Sequence, residues 1–225
     1  MIVITGNSDA EGSAGSGGTE QAGTYVGDPE RLQHGQEPAS AWVQRWSHLV
    51  PAKGRVLDVA CGQGRHAYWF YQRGHAVTVV DRSQQAVASI AIPALWCEAV
   101  VADIEQGSWP FAGRQFDAVV VTNYLWRPLL PTLLTSIAPG GVLLYETFAQ
   151  GHQSVGRPSR PDFLLRHGEL LEVCRDLRIV AFEEGFQQNV TGIGSRFIQR
   201  IAAVKETSAA SMDSNPDALP RYALP

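Results

Sequence analysis

The chain has 225 residues, 44% of them hydrophobic, and a formal net charge of -4. That length and apolar fraction suit one globular domain with a substantial core, and the small acidic balance excludes a general nucleic-acid binder, whose footprint is basic. The charge sits at the ends: residues 1–24 hold Asp9, Glu11 and Glu20 without a base, residues 206–225 hold Glu206, Asp213 and Asp217 against Arg221, and the middle is close to neutral.

Both ends are poor in large apolar residues and rich in Gly, Ser, Ala, Asp and Pro, compositions that cannot offset the entropy of ordering. Residues 1–24 and 206–225 are therefore expected to be disordered tails around one domain spanning 25–205. The start, MIVITGNSDAEGSAGSGG, has a four-residue apolar run with no basic segment before it, neither a signal peptide nor a membrane helix, so a cytoplasmic protein without a membrane partner is expected. Cys61, Cys97 and Cys174 are far apart and lack C-x-x-C spacing, which disfavours a metal site and a disulfide framework.

Trp42, Val43, Trp46, Leu49 and Val50 recur at helical spacing, and the two tryptophans serve either as core packing or as cover for one side of a cleft. The runs Arg55 to Val59, Ala76 to Val80, Ala99 to Ala102, Phe116 to Val121 and Val142 to Tyr145 are short, valine-rich and nearly continuous, as in a parallel sheet covered on both faces. Helices fill the gaps. Ala67, Phe70 and Tyr71 face inward in the first, and Ser83 caps a second whose inner face is Ala86, Val87 and Ile90. Leu129, Leu130, Leu133, Leu134 and Ile137 mark another, with Pro139-Gly140-Gly141 as its stop. A helix around Glu169 to Cys174 precedes two strands, Leu177 to Glu184 and Arg196 to Val204, spaced for an antiparallel pair. The order predicts a doubly wound α/β sheet, mostly parallel and seven-stranded, with an antiparallel last strand.

The richest segment is RVLDVACGQGR, residues 55–65: a strand, a glycine turn and the start of a helix. Its glycines let the backbone approach a ligand, and Asp58 brings a carboxylate where a purely structural strand would avoid one. Gly62-Gln63-Gly64-Arg65-His66-Ala67 also satisfies the G-x-G-x-x-G/A dinucleotide pattern, with Asp81 at the expected distance for ribose hydroxyls. An NAD-dependent oxidoreductase is thus one reading. Against it, Asp58, Ala60 and Cys61 interrupt the apolar approach to the first glycine. Asp103 adds a third acid at a third strand end, a set suited to a ligand with an amino acid part, a ribose and an adenine but no phosphates.

VLDVACGQGRHA, VTVVDRS, AVVADIE, FDAVVVTNYLWRP and APGGVLLYETF, in that order, resemble the motifs of class I S-adenosylmethionine-dependent methyltransferases, of the small bacterial kind that includes tellurite-resistance-like members. The resemblance covers roughly residues 38 to 205 and implies the Rossmann-like methyltransferase fold with a reversed seventh strand. It implies S-adenosyl-L-methionine as cofactor, with Asp58, Ala60, Gly62 and Gly64 around its methionine part. Asp81 would hold the ribose hydroxyls, Asp103 and Ile104 would border the adenine, and Asn123 with Tyr124 would lie near the transferred methyl. The implied partner is a small-molecule methyl acceptor, and a protein that binds this cofactor without turnover is a further alternative.

Several side chains compete for the acceptor side. Asn123 and Tyr124 orient a nucleophile, or Asn123 caps a helix; Trp126 forms an apolar wall or packs in the core. Residues 146–166, ETFAQGHQSVGRPSRPDFLLR, form a candidate lid, in which Arg157 and Arg160 either clamp an anionic group or are solvated. His66 and His152 are candidate bases with a structural alternative, and Glu146, at the fifth strand's end, is a further candidate.

Overall fold

The computed structural model describes residues 37–190, 194–207 and 221–225. Seven strands, β1 (Arg55–Val59), β2 (Ala76–Asp81), β3 (Cys97–Val101), β4 (Phe116–Thr122), β5 (Ile137–Phe148), β6 (Arg178–Val190) and β7 (Gly194–Val204), form one sheet in the order β3-β2-β1-β4-β5-β7-β6. β1 to β5 run parallel, and β7 is antiparallel to both of its neighbours. This is the expected mostly parallel, doubly wound sheet with its reversed last strand.

The valine-rich runs are explained by burial on both faces, because alternate side chains leave a strand on opposite sides. On one face, Leu57, Val59, Val119, Val121 and Leu143 pack with α4 (Leu130–Thr135) and α5 (Glu169–Val173). On the other, Val56, Val79, Val120 and Leu144 pack with α1 (Ala41–Trp46), α2 (Arg65–Tyr71) and α3 (Gln84–Ala88). Trp42 and Trp46 belong to this second core, and Trp42 Nε1 donates to the Ile201 carbonyl at 3.1 Å. Ser83 caps α3 as expected, accepting from Ala86 N at 3.2 Å.

One element differs. Ile137 is the first residue of β5, paired with Phe116 and fully buried, and not the end of the preceding helix. Pro139-Gly140-Gly141 is a bulge inside β5, where the register with β4 shifts between Phe116 and Ala118. A Cβ on Gly141 would meet the carbonyls of Ala138, Phe116 and Asp117 at 2.9–3.1 Å, so the bulge requires glycine there. Helical periodicity carried the sequence pattern one residue too far because Ile137 continues the apolar stripe while its backbone bonds to β4.

Of the expected tails, 1–24 and 208–220 lie outside the described residues. Residues 221–225 form no helix or strand, but Tyr222 packs against the α1 side of the core, and His48 Nε2 meets the Ala223 carbonyl at 2.9 Å. Among the described residues no helix is long and apolar enough to cross a membrane.

Candidate functional site

The carboxyl ends of β1, β2, β3, β4 and β5 open into one cleft with two adjoining halves, of about 400 and 350 Å³, that share Ala60, Asn123 and Tyr124. Such volumes are those of small-ligand sites, and the place is where an open α/β sheet receives its ligand. Asp81, Asp103 and Ile104 line the larger half, and Gly62 lines the smaller. The topology has therefore gathered residues more than 60 positions apart along the chain.

The turn after β1 is built on backbone strain. Ala60, Gly62 and Gly64 have φ values of 53°, 54° and 78°, the left-handed region that favours glycine. Ala60 holds that conformation with a side chain, at a cost of about 1 kcal/mol. The turn is pinned from β2: Asp81 Oδ2 accepts from Gly62 N at 2.9 Å and Oδ1 from Ser83 N at 2.8 Å. Asp103 organises its own loop, accepting from Glu105 N at 2.9 Å and Gln106 N at 3.1 Å, and these bonds hold its carboxyl below the usual carboxylate range. Asn123 also has a positive φ of 54°, and its N–H donates to the Glu146 carbonyl at 2.9 Å, turning the chain out of β4 and into the cleft.

Asp58 is buried beneath the turn rather than on the cleft wall, and its Oδ2 has no hydrogen-bond partner among the described residues. Burial pushes its carboxyl up to about 7, with partial relief from Arg65 and the backbone N–H of Ala67. The Tyr124 hydroxyl is turned toward Glu105, Asp103 and Arg82, at the β2–β3 end. Burial, reinforced by Glu105, raises its pKa above the ordinary tyrosine value.

The weaker candidates have structural partners. His66 lines the smaller half, but its Nε2 faces Ser40 N at 3.2 Å and accepts from it, and burial pushes its pKa down to about 3. The Glu146 carboxylate, 1% exposed, accepts from Ser40 Oγ at 3.0 Å and Arg200 at 3.1 Å, with Arg196 at 3.6 Å, and lines neither half. His152 stacks on Phe148, ring centroids 4.3 Å apart, and its Nε2 donates to the Arg157 carbonyl at 3.0 Å. Arg157 and Arg160 are exposed, Arg160 is paired with Asp162 at 2.8 Å, and neither lines the cleft. Trp126 is half-buried against the α4 side of the core.

The expected lid does reach the cleft, through Pro158 and Phe163. What holds it was missed. Arg127, in the loop after β4, donates to both Glu169 oxygens at 2.7 and 2.9 Å and to the carbonyls of Asp162 and Leu164 at 2.8 Å. Burial alone would push the Glu169 carboxyl up, but the bonds from Arg127 and Arg166 N outweigh it and hold it low. These partners are 35 to 42 residues apart, so no local pattern announces them.

Residues 56–141 match the methyltransferase domain family. The malonyl-[acyl-carrier protein] O-methyltransferase of Enterobacter lignolyticus is 34% identical over 107 residues, covering 44% of this chain and 42% of that protein. TehB from Haemophilus influenzae shares the fold with a TM-score of 0.57 at 20% identity, over 71% of this chain and 60% of that one. The glycopeptide N-methyltransferase MtfA, crystallised with S-adenosyl-L-homocysteine, has a TM-score of 0.53 at 18% identity over 76% of this chain and 91% of that one. At these identities the two structures establish the fold. The chain spans about half the length, or less, of the curated relatives it matches.

Proposed function

We propose that this chain, a member of the class I S-adenosylmethionine-dependent methyltransferases, transfers the methyl group of S-adenosyl-L-methionine to a small molecule held between the cleft floor and the 149–168 segment. The observation that carries the reading is the pair of strand-end acids, Asp81 and Asp103, lining one half of the cleft beside the glycine turn. Asp81 accepts from Gly62 N at 2.9 Å and so ties the turn after β1 to the end of β2. The same carboxylate suits ribose hydroxyls, since each oxygen accepts one backbone bond and keeps a second lone pair. A β2-end acid serves either cofactor; the second strand-end acid, Asp103, on the same wall favours the S-adenosyl cofactor over NAD.

In this reading the turn of Ala60, Gly62 and Gly64 borders the methionine part, with Ala60 and Gly62 lining the cleft and Asp58 buried beneath the turn that carries them. Asp103 and Ile104 border the adenine, and Tyr124, with its hydroxyl toward Glu105, closes that end of the cleft. Asn123 faces the reacting centre. When bound, S-adenosyl-L-methionine supplies a methyl group on a cationic sulfur, which leaves as a neutral thioether once an acceptor lone pair bonds the methyl carbon. Because the positive charge moves from sulfur to the acceptor atom and leaves with that atom's proton, no new charge is created, and the protein's contribution is alignment of the acceptor more than stabilisation of a developing ion. His66 stays neutral with Nε2 engaged, and the buried Glu146 holds α1 to β7 through Ser40 and Arg200. Neither is placed to take the acceptor's proton, which passes to water.

Calorimetric titration of the folded protein with S-adenosylmethionine, S-adenosylhomocysteine and NADH in parallel tests the reading. Micromolar binding of the first two without the third is the expected result; binding of NADH alone would return the turn to its dinucleotide role.

A further inference from the structure

The larger half of the cleft is divided by charge. Its charged side chains, Asp81, Arg82, Asp103 and Glu105, all stand at the ends of β2 and β3. Its other wall, over β4 and β5, consists of Leu125, Thr147, Phe148, Pro158 and Phe163, none of them charged. In the sheet order β3-β2-β1-β4-β5, a nucleoside lying across β2 and β3 leaves the β4–β5 side for the second substrate.

Among the described residues, the cations on the β4–β5 and lid side do not line this wall, and Arg82 lines the half at the end of β2. Arg127 is closed on Glu169 and two carbonyls, Arg160 is paired with Asp162 and lies over the Phe163 ring at 5.3 Å without lining the cleft, and Arg157 does not line it either. His152 lies behind Phe148, its Nε2 donating to a carbonyl. An anion brought against this wall would exchange its water for uncharged surface, whereas an apolar ring would replace water with the carbon surface of Phe148, Pro158 and Phe163, of which Phe148 already carries His152 on one face and Phe163 carries Arg160.

From this division we infer that the methyl acceptor is a neutral molecule with an apolar, ring-sized body, seated against Phe148, Pro158 and Phe163. The inference rests on the methyltransferase reading, which sets the nucleoside on the charged side. It also makes the lid a selectivity wall in place of an anion clamp. Thr147 is left as the wall's hydrogen-bonding group, able to orient the acceptor without neutralising a charge.

The test uses the full chain saturated with S-adenosylhomocysteine and titrated at pH 7 with 2-naphthol and with 2-naphthoate, which share a body and differ in charge. We expect 2-naphthol to bind and 2-naphthoate to bind at least tenfold more weakly. Phe163→Ala should weaken 2-naphthol about fivefold, Phe163→Leu should restore most of it, and Arg157→Glu with Arg160→Glu should change neither probe. Equal or tighter binding of 2-naphthoate, its loss in the arginine variants, or no binding of either probe would overturn the inference. Should S-adenosylhomocysteine itself fail to bind in the first titration, the methyltransferase reading falls instead.

Discussion

The two sides of the cleft are held by different kinds of interaction. On the β1–β3 side, each acid bonds backbone N–H groups of a turn: Asp81 to Ser83 and Gly62, Asp103 to Glu105 and Gln106. On the lid side, the wall is fixed by Arg127 reaching Asp162, Leu164 and Glu169 across the chain. The first kind is mostly local and written as a motif; the second is made only when α4, α5 and the lid have docked. A site can thus have one side set mainly by turn chemistry near its own strand ends and the other by contacts between segments distant in the chain.

Removing the clamp should have the largest effect on the lid side. Arg127→Ala leaves the Glu169 carboxylate, 3% exposed, with Arg166 as its remaining partner and should cost about 2 kcal/mol in urea unfolding. Adding Glu169→Gln should recover part of that loss. Equal stability of Arg127→Ala and the parent would mean that the lid is held by its apolar contacts alone.

On the other side, Asp58 makes the turn pH-sensitive. Its folded pKa of about 7 exceeds the ordinary 3.8, so the native state holds a proton that the unfolded chain has released. Stability from this group therefore falls as pH rises from about 4 to 7, and the deficit, a few kcal/mol, is complete above pH 7. His66, lowered from 6.5 to about 3, acts in the opposite sense and costs stability as pH falls through that window. The difference in Tm between Asp58→Asn and the parent cancels His66 and should grow steadily in favour of the variant between pH 4 and 7.5. A flat difference would place the buried proton elsewhere.

Asp81→Ala removes the acceptor of Gly62 N and should weaken S-adenosylhomocysteine about a hundredfold in calorimetry, while leaving the lid's protection from proteolysis unchanged. Unaltered affinity would mean that the ribose lies elsewhere. The smallest effect is expected at α3, where Ser83→Ala loses the cap bond to Ala86 N and should cost about 1 kcal/mol by thermal or urea unfolding.

Much of the fold was legible because its signals are local. The run Arg55 to Val59 coincides with β1, and the remaining strands lie within a few residues of their expected bounds, mostly longer than expected, with Ala102 falling just past β3 and Leu177 just before β6. Ile137 was misplaced because apolar periodicity does not record which backbone group bonds it, and its partner Phe116 lies in another strand. Asp81 and Asp103 were recognisable as strand-end acids, and both line the cleft. Asp58 was equally visible, yet nothing in its neighbours along the chain indicates that it is buried under the turn with one oxygen unsatisfied.

The succession of strands and helices along the chain, the glycine turn and the three acids follow from the sequence alone, since alternation, turn propensity and capping act over a few residues. Tertiary structure alone decided that Glu146 is a buried ion-pair partner, that Tyr124 turns toward Glu105, and that Arg127 binds the lid. Those outcomes depend on which distant groups share a low-dielectric space after packing, and a charge or hydroxyl takes its role from that neighbourhood rather than from its place in the chain.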